Sequence, residues 1–272
     1  MHACARAVLA SLLLAAPYTV RAQAPPRTLV VVLAHADDEA PVAPLLARYA
    51  REGARVHMLI ASDGGQGVGA PGIVSRPDSG PRGEELVRAR AEEGRCAARA
   101  LGAQPPILLG FPDGKLGDYI GDRSLSYRLT ARIAEELQRL RPDAVVTWGP
   151  DGGVGHPDHR LVSAIATQLV RADAPGAPER LFYMYLPEGA IRAMNPQRGV
   201  PPLLLPAARH FTVRVPFAPE DLQAAMRAME CHRSQITAEA MTRVAAAMPG
   251  VWNGVIALVP AFATAPATEL FR

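Results

Sequence analysis

The chain has 272 residues, of which 49% are hydrophobic and 5% aromatic, and it carries 29 Lys and Arg against 26 Asp and Glu for a formal net charge of +3. Arg6 and Arg21 lie in an N-terminal segment without acids, so the remainder is close to neutral and offers no electrostatic footprint for nucleic acid. No apolar run is long enough for an integral membrane span, and three cysteines do not make a disulfide framework.

Met1 to Ala24 reads as a secretory signal. Arg6 stands before an apolar stretch from Ala7 to Ala16, and Ala22-Gln23-Ala24 supplies small residues at a cleavage site. Pro25 is unfavourable just after a cut, so cleavage after Ala22 competes with cleavage after Ala24. Pro17 and Arg21 would interrupt the alternative, a buried N-terminal helix. Export to the periplasm or the medium is therefore expected, with residues 25–272 as a single domain. In an oxidising compartment Cys96 and Cys231 could pair, although their helical contexts suit small buried apolar residues equally well.

Leu29-Val30-Val31-Val32-Leu33 has the continuous β-branched character of a strand buried on both faces. It runs into Ala34-His35-Ala36-Asp37-Asp38-Glu39, and a helix over Ala40 to Glu52 follows, with Pro41 and Pro44 in its tolerant opening turns. A second strand is predicted over Arg55 to Ala61, then a Gly/Pro/Ser-rich loop from Ser62 to Pro81 whose length suits a lid or substrate loop. Gly83 to Leu101 reads as a charged helix stopped by Gly102.

A short strand from Pro106 to Leu109 leads to the loop Gly110-Phe111-Pro112-Asp113-Gly114, and a helix spans Ser124 to Leu140. The strand from Asp143 to Trp148 ends before Gly155-His156-Pro157-Asp158-His159, with the next helix from Asp158 to Arg171. Strands are predicted at Leu181–Tyr185 and His210–Val215, a helix at Pro219–Arg233, and an irregular tail beyond. This alternation predicts an α/β fold with a mostly parallel sheet covered by helices.

In such sheets ligands bind beyond the carboxyl ends of the strands, so the two acid/histidine clusters can converge despite their separation in sequence. His35 and Asp38, three residues apart in a tight turn, and His159 from the second cluster offer two nitrogens and a carboxylate. That set suits zinc in a site left open for water, and iron(II) takes the same donors. Asp37 beside the ligands is the candidate general base. His156, with Asp158 orienting it, is a candidate to protonate a leaving group or stabilise an oxyanion. Taken singly, His-x-x-Asp is more often a cap or a hydrogen-bonded loop.

Five motifs occur in order: A-H-x-D-D-E after the first strand, R-x-x-E-x-x-x-A-x-x-x-L-G at Arg90 to Gly102, G-F-P-D-G, G-H-P-D-H, and H-x-S-Q at His232 to Gln235. Together they resemble the PIG-L/LmbE family of metal-dependent de-N-acetylases over Leu29 to Gln235. The resemblance implies a Rossmann-like sheet with helices on both faces and hydrolysis of an acetamide, usually on an N-acetylglucosamine unit. It further implies zinc ligands at His35, Asp38 and His159, a base at Asp37, intermediate stabilisation by His156, and sugar contacts from Arg90 and Asp113. The nonfunctional alternatives are a helix charge for Arg90 and a Pro-Asp-Gly turn for Asp113. Glu39 and Glu93 read as structural, and His232 as support beside the site rather than a ligand. Ala36 replaces a proline common in the first motif, and Val154 stands where some relatives carry a tyrosine.

The expected substrate is a small N-acetylated amino sugar or its conjugate. A metal-dependent amidase acting on a thiol conjugate or another amide is the alternative. A non-catalytic carbohydrate-binding protein fits less well, because binding alone needs neither Asp37 nor His156.

Overall fold

A computed structural model describes residues 25–67, 80–153, 155–187 and 205–271. The N-terminal segment expected to be a signal, most of the Gly/Pro/Ser-rich loop and Val154 lie outside them. Seven strands form one sheet: β1 (Thr28–Leu33), β2 (Arg55–Ser62), β3 (Ile107–Phe111), β4 (Ala144–Trp148), β5 (Leu181–Met184), β6 (Val213–Pro216) and β7 (Val255–Pro260). Their order is β3-β2-β1-β4-β5-β7-β6; the first five in that order run parallel, and β7 lies antiparallel to both its neighbours.

Alternation of side chains along β1 explains why its apolar run has no polar gap. Leu29, Val31 and Leu33 face one core layer with α1 (Ala43–Arg51), α2 (Gly83–Leu101), α5 (Pro219–Met229) and α6 (Ala238–Trp252). Val30, Val32 and Ala34 face the other, with α3 (Arg123–Leu140) and α4 (Pro157–Arg171). Every residue of β1 is buried, and each large aliphatic side chain removed from water stabilises the fold by about 1.5–3 kcal/mol.

The chain steps outward from β1 to β2 to β3 through α1 and α2, then α3 returns it across the sheet to β4 on the other side of β1. Leu29 to Val32 pair in parallel register with Ala144 to Thr147. The connections after β1 and β4 therefore leave on opposite faces, and their carboxyl ends frame a crevice at the topological switch point.

Helix starts follow local chemistry. Asp122 caps α3 by accepting from Ser124 N and Leu125 N at 2.9 and 3.2 Å, and Gly102 ends α2 at φ 71°. Four boundaries differ from the sequence expectation by more than one residue. A 3-10 turn at Ala40–Val42 precedes α1, because Pro41 and Pro44 remove backbone donors. β3 continues through Gly110 and Phe111, where a register shift opposite Ile60 and Ser62 admits Gly110 at φ 71°. His210 closes a 3-10 turn and β6 starts only at Val213, while α5 stops at Met229.

The tail is not irregular. It forms α6 and β7, and β7 inserts between β5 and β6. Cys96 on α2 and Cys231 after α5 form a disulfide with their Cα atoms 5.8 Å apart.

Candidate metal centre and active site

The turn after β1 is closed by its own acid. Asp38 Oδ2 accepts from Ala34 N at 2.9 Å and His35 N at 2.8 Å, which fixes this carboxylate at the sheet edge. Asp37 takes φ 110°, a conformation that a non-glycine residue adopts only when its surroundings enforce it, at a cost of about 1–3 kcal/mol. Two groups grip this turn: Arg90 Nη2 donates to Ala36 O at 2.5 Å and to Asp37 Oδ1 at 3.1 Å, and Asp37 N donates to Glu39 Oε2 at 3.1 Å.

Donor atoms of three residues face one another across the switch point. His35 Nδ1 lies 3.1 Å from His159 Nε2 and 3.6 Å from Asp38 Oδ2, and His159 Nε2 lies 3.1 Å from Asp38 Oδ1. Ligands at ordinary zinc distances in a tetrahedron stand roughly 3.4 Å apart, so the donor set fits a small divalent cation. The remaining ring nitrogens support that orientation. His159 Nδ1 sits 2.9 Å from Gly152 O, an acceptor only, which leaves the Nε2 lone pair facing the cluster. His35 Nε2 faces Asp113 Oδ1 at 3.0 Å and Asp158 Oδ2 at 3.4 Å, which leaves its Nδ1 lone pair inward.

Two other groupings share His35: with His156 and His159, and with Asp113 and Asp158. The second is already committed to the backbone. Asp113 Oδ2 accepts from Gln66 N and Gly67 N, and Asp158 accepts from Gly114 N and Gly117 N. Both carboxylates orient His35 from behind and draw three loops onto the site.

Burial alone would lower the pKa of His35, but the charge of Asp38 and hydrogen bonds to Asp113 and Asp158 raise it well above the ordinary value. A pocket that so favours a proton also favours a cation. Burial opposes ionisation of Asp38, yet His159 and His35 hold its pKa well below the usual range. For Asp37 burial prevails over the charge of Arg90 and the pKa is raised, which makes it a stronger base than an ordinary aspartate. Burial, together with His159 and His35, keeps the pKa of His156 low. Its Nδ1 accepts from Asp158 N at 3.2 Å, so the proton of the neutral ring belongs on Nε2, free to donate.

The structure thus brings His35, Asp37, Asp38, Asp113, His156, Asp158 and His159 together. Asp158 and Arg90 act on neighbours other than those expected: the Asp158 carboxylate turns to His35 rather than His156, and Arg90, 3% exposed, lies beneath Asp37. Trp148 stacks on His159 with centroids 4.6 Å apart and planes within 4°, and packs against Gly153, so it is a wall behind a candidate ligand. Sequence reasoning missed that contact. The pair of His232 Nε2 and Glu39 Oε1 at 2.6 Å, both residues buried, was only partly anticipated, since no spacing rule links positions so far apart.

The family model described as GlcNAc-PI de-N-acetylase matches residues 30–170, more than half of the chain. A 1D-myo-inositol 2-acetamido-2-deoxy-alpha-D-glucopyranoside deacetylase from Kineococcus radiotolerans is 29% identical over 262 residues, covering 78% of this chain and 70% of its own length. One with the same activity name from Catenulispora acidiphila is 29% identical over 252 residues, covering 79% and 81%. Among solved structures, the N,N'-diacetylchitobiose deacetylase from Pyrococcus horikoshii superimposes with a TM-score of 0.61 at 16% identity over 86% of this chain and 83% of that one, a likeness of fold. With the family match spanning β1 through α4, and so both halves of the donor cluster, the chain belongs to the PIG-L family of de-N-acetylases.

Proposed function

We propose that this protein is a divalent-metal-dependent hydrolase that removes the acetyl group from an N-acetylated amino sugar of the N-acetylglucosamine type, or from a conjugate of one, and that it acts after export. The observation that carries this reading is the convergence of His35 Nδ1, His159 Nε2 and Asp38 beside a strained Asp37. His35, Asp38 and His159 would hold the ion, for which zinc is the proposed identity and iron(II) the alternative. When bound, the ion supplies Lewis acidity to the acyl oxygen and the incoming water.

The chain's own groups account for the proton movements. Asp37 takes a proton from the attacking water as its oxygen bonds to the acetyl carbon, and Arg90 holds the carboxylate in line. His156 Nε2–H donates to the oxygen on which negative charge develops. The carbon–nitrogen bond then breaks, the proton held by Asp37 passes to the amine nitrogen, and acetate and a free amine leave. Asp113 is the proposed sugar-contacting acceptor through Oδ1, the oxygen that the loop amides leave and that also meets His35 Nε2.

Acetate release from metal-loaded protein across N-acetyl sugars and other amides is the test. Turnover confined to the sugars supports the proposal. Burial of Arg90 against Asp37 favours a second reading, an amidase without a sugar-specific clamp, and turnover confined to other amides would establish it.

A further inference from the structure

Asp37 keeps its conformation with help from a distant part of the chain. Its amide donates to Glu39 Oε2, and Glu39 Oε1 meets His232 Nε2 at 2.6 Å. Glu39 is 1% and His232 2% exposed, so the pair is shielded from competing water. His232 directly follows Cys231, which is bonded to Cys96 on α2. The same helix carries Arg90, which grips Ala36 and Asp37, and Glu93, whose carboxylate accepts from Ser234 N at 2.6 Å and Ser234 Oγ at 2.7 Å. The Ala36–Glu39 turn is therefore held from two sides, by α2 and by residues 231–235, and those two sides are cross-linked.

We propose that Glu39 and His232 are positioning residues for the Asp37 carboxylate, and that the Cys96–Cys231 disulfide is the covalent clamp that keeps them in place. The positive φ of Asp37 needs such a restraint: without the bond from its amide to Glu39, the residue relaxes toward negative φ and its carboxylate leaves the line set by Arg90. Glu39 and His232 make no hydrogen bond to His35, Asp38 or His159, and Asp38, which shares the turn, is anchored separately by Ala34 N and His35 N, so the clamp governs Asp37 more than metal retention. The catalytic consequence rests on the proposed function; the structural consequence does not.

The two are separated by measuring hydrogen exchange over residues 34–42 alongside turnover, in metal-loaded protein, for wild type, His232→Ala, Cys96→Ser/Cys231→Ser, and wild type treated with a phosphine reductant in case the variants fold poorly. Exchange in this segment should rise about tenfold or more while β4 stays protected, and metal content should stay near the wild-type value. Turnover should fall about tenfold with KM within about twofold, and His232→Ala should cost nothing further in an Asp37→Asn background, because the two act through one carboxylate. Unchanged exchange over 34–42 overturns the clamp, and so does an equal loss of turnover in both backgrounds. Absence of amide hydrolysis by the wild type would reject the functional reading while the exchange data still decide the clamp.

Discussion

At the scale of the residue, ligand and base roles separate by what each deletion removes. His159→Ala should abolish stoichiometric divalent metal in elemental analysis, since it removes a nitrogen that stands 3.1 Å from both His35 Nδ1 and Asp38 Oδ1. Asp37→Asn should keep the metal and lower turnover about a hundredfold or more, the scale of general-base catalysis. Near-normal turnover in that variant would move the base role to another group. Trp148→Leu tests the wall behind His159: the loss of a stacked, 3% exposed ring should weaken metal retention against a chelator by about 10–100-fold, as loss of an orienting neighbour does, without removing any donor.

Among the elements, α5 depends on one acid for two jobs. Asp221 accepts from Ala218 N at 2.8 Å at the helix start and binds Arg51 of α1 through both oxygens at 2.8 and 2.9 Å. Burial raises the pKa of Asp221, but the bonds from Arg51 and Ala218 outweigh it and the pKa is lowered. A carboxylate with a depressed folded pKa contributes stability that is present above its unfolded pKa, about 3.9, and lost as pH falls through the folded value. Asp221→Asn should therefore melt below wild type at pH 7, and the gap should close as the pH falls below about 4. A gap that persists at low pH would mean that shape, not charge, holds α5 against α1.

The whole molecule closes its sheet with the end of the chain. β7 joins β5 to β6, and the residues after it return to the outer edge, where Arg214 N donates to Ala267 O at 2.8 Å. Removing residues 255–272 should leave β6 without a strand partner and abolish a cooperative melt, whereas an intact melt would show that the parallel half folds alone. Export is tested on the full-length precursor: N-terminal sequencing of extracytoplasmic protein should begin at Gln23 or Pro25, and an intact Met1 would exclude cleavage.

What the sequence determined by itself is what short-range pattern encodes. The unbroken apolar run of β1, the Gly102 stop of α2 and the alternation of strands and helices specified a mostly parallel sheet with its ligand crevice at the strand ends, and the order of the motifs specified the family. Even the tail carried a signal in Val255 to Pro260, but the alternation there is short and the alanine-rich α6, interrupted by Pro249 and Gly250, lacks a clear apolar stripe. Tertiary structure alone decided which atoms meet. The turn of Asp158 toward His35, the burial of Arg90 under Asp37, the stacking of Trp148 on His159 and the pairing of Glu39 with His232 each join residues from different elements. The direction of a side chain across such a gap is set by the packing of whole helices on the sheet, and that quantity has no local period to read.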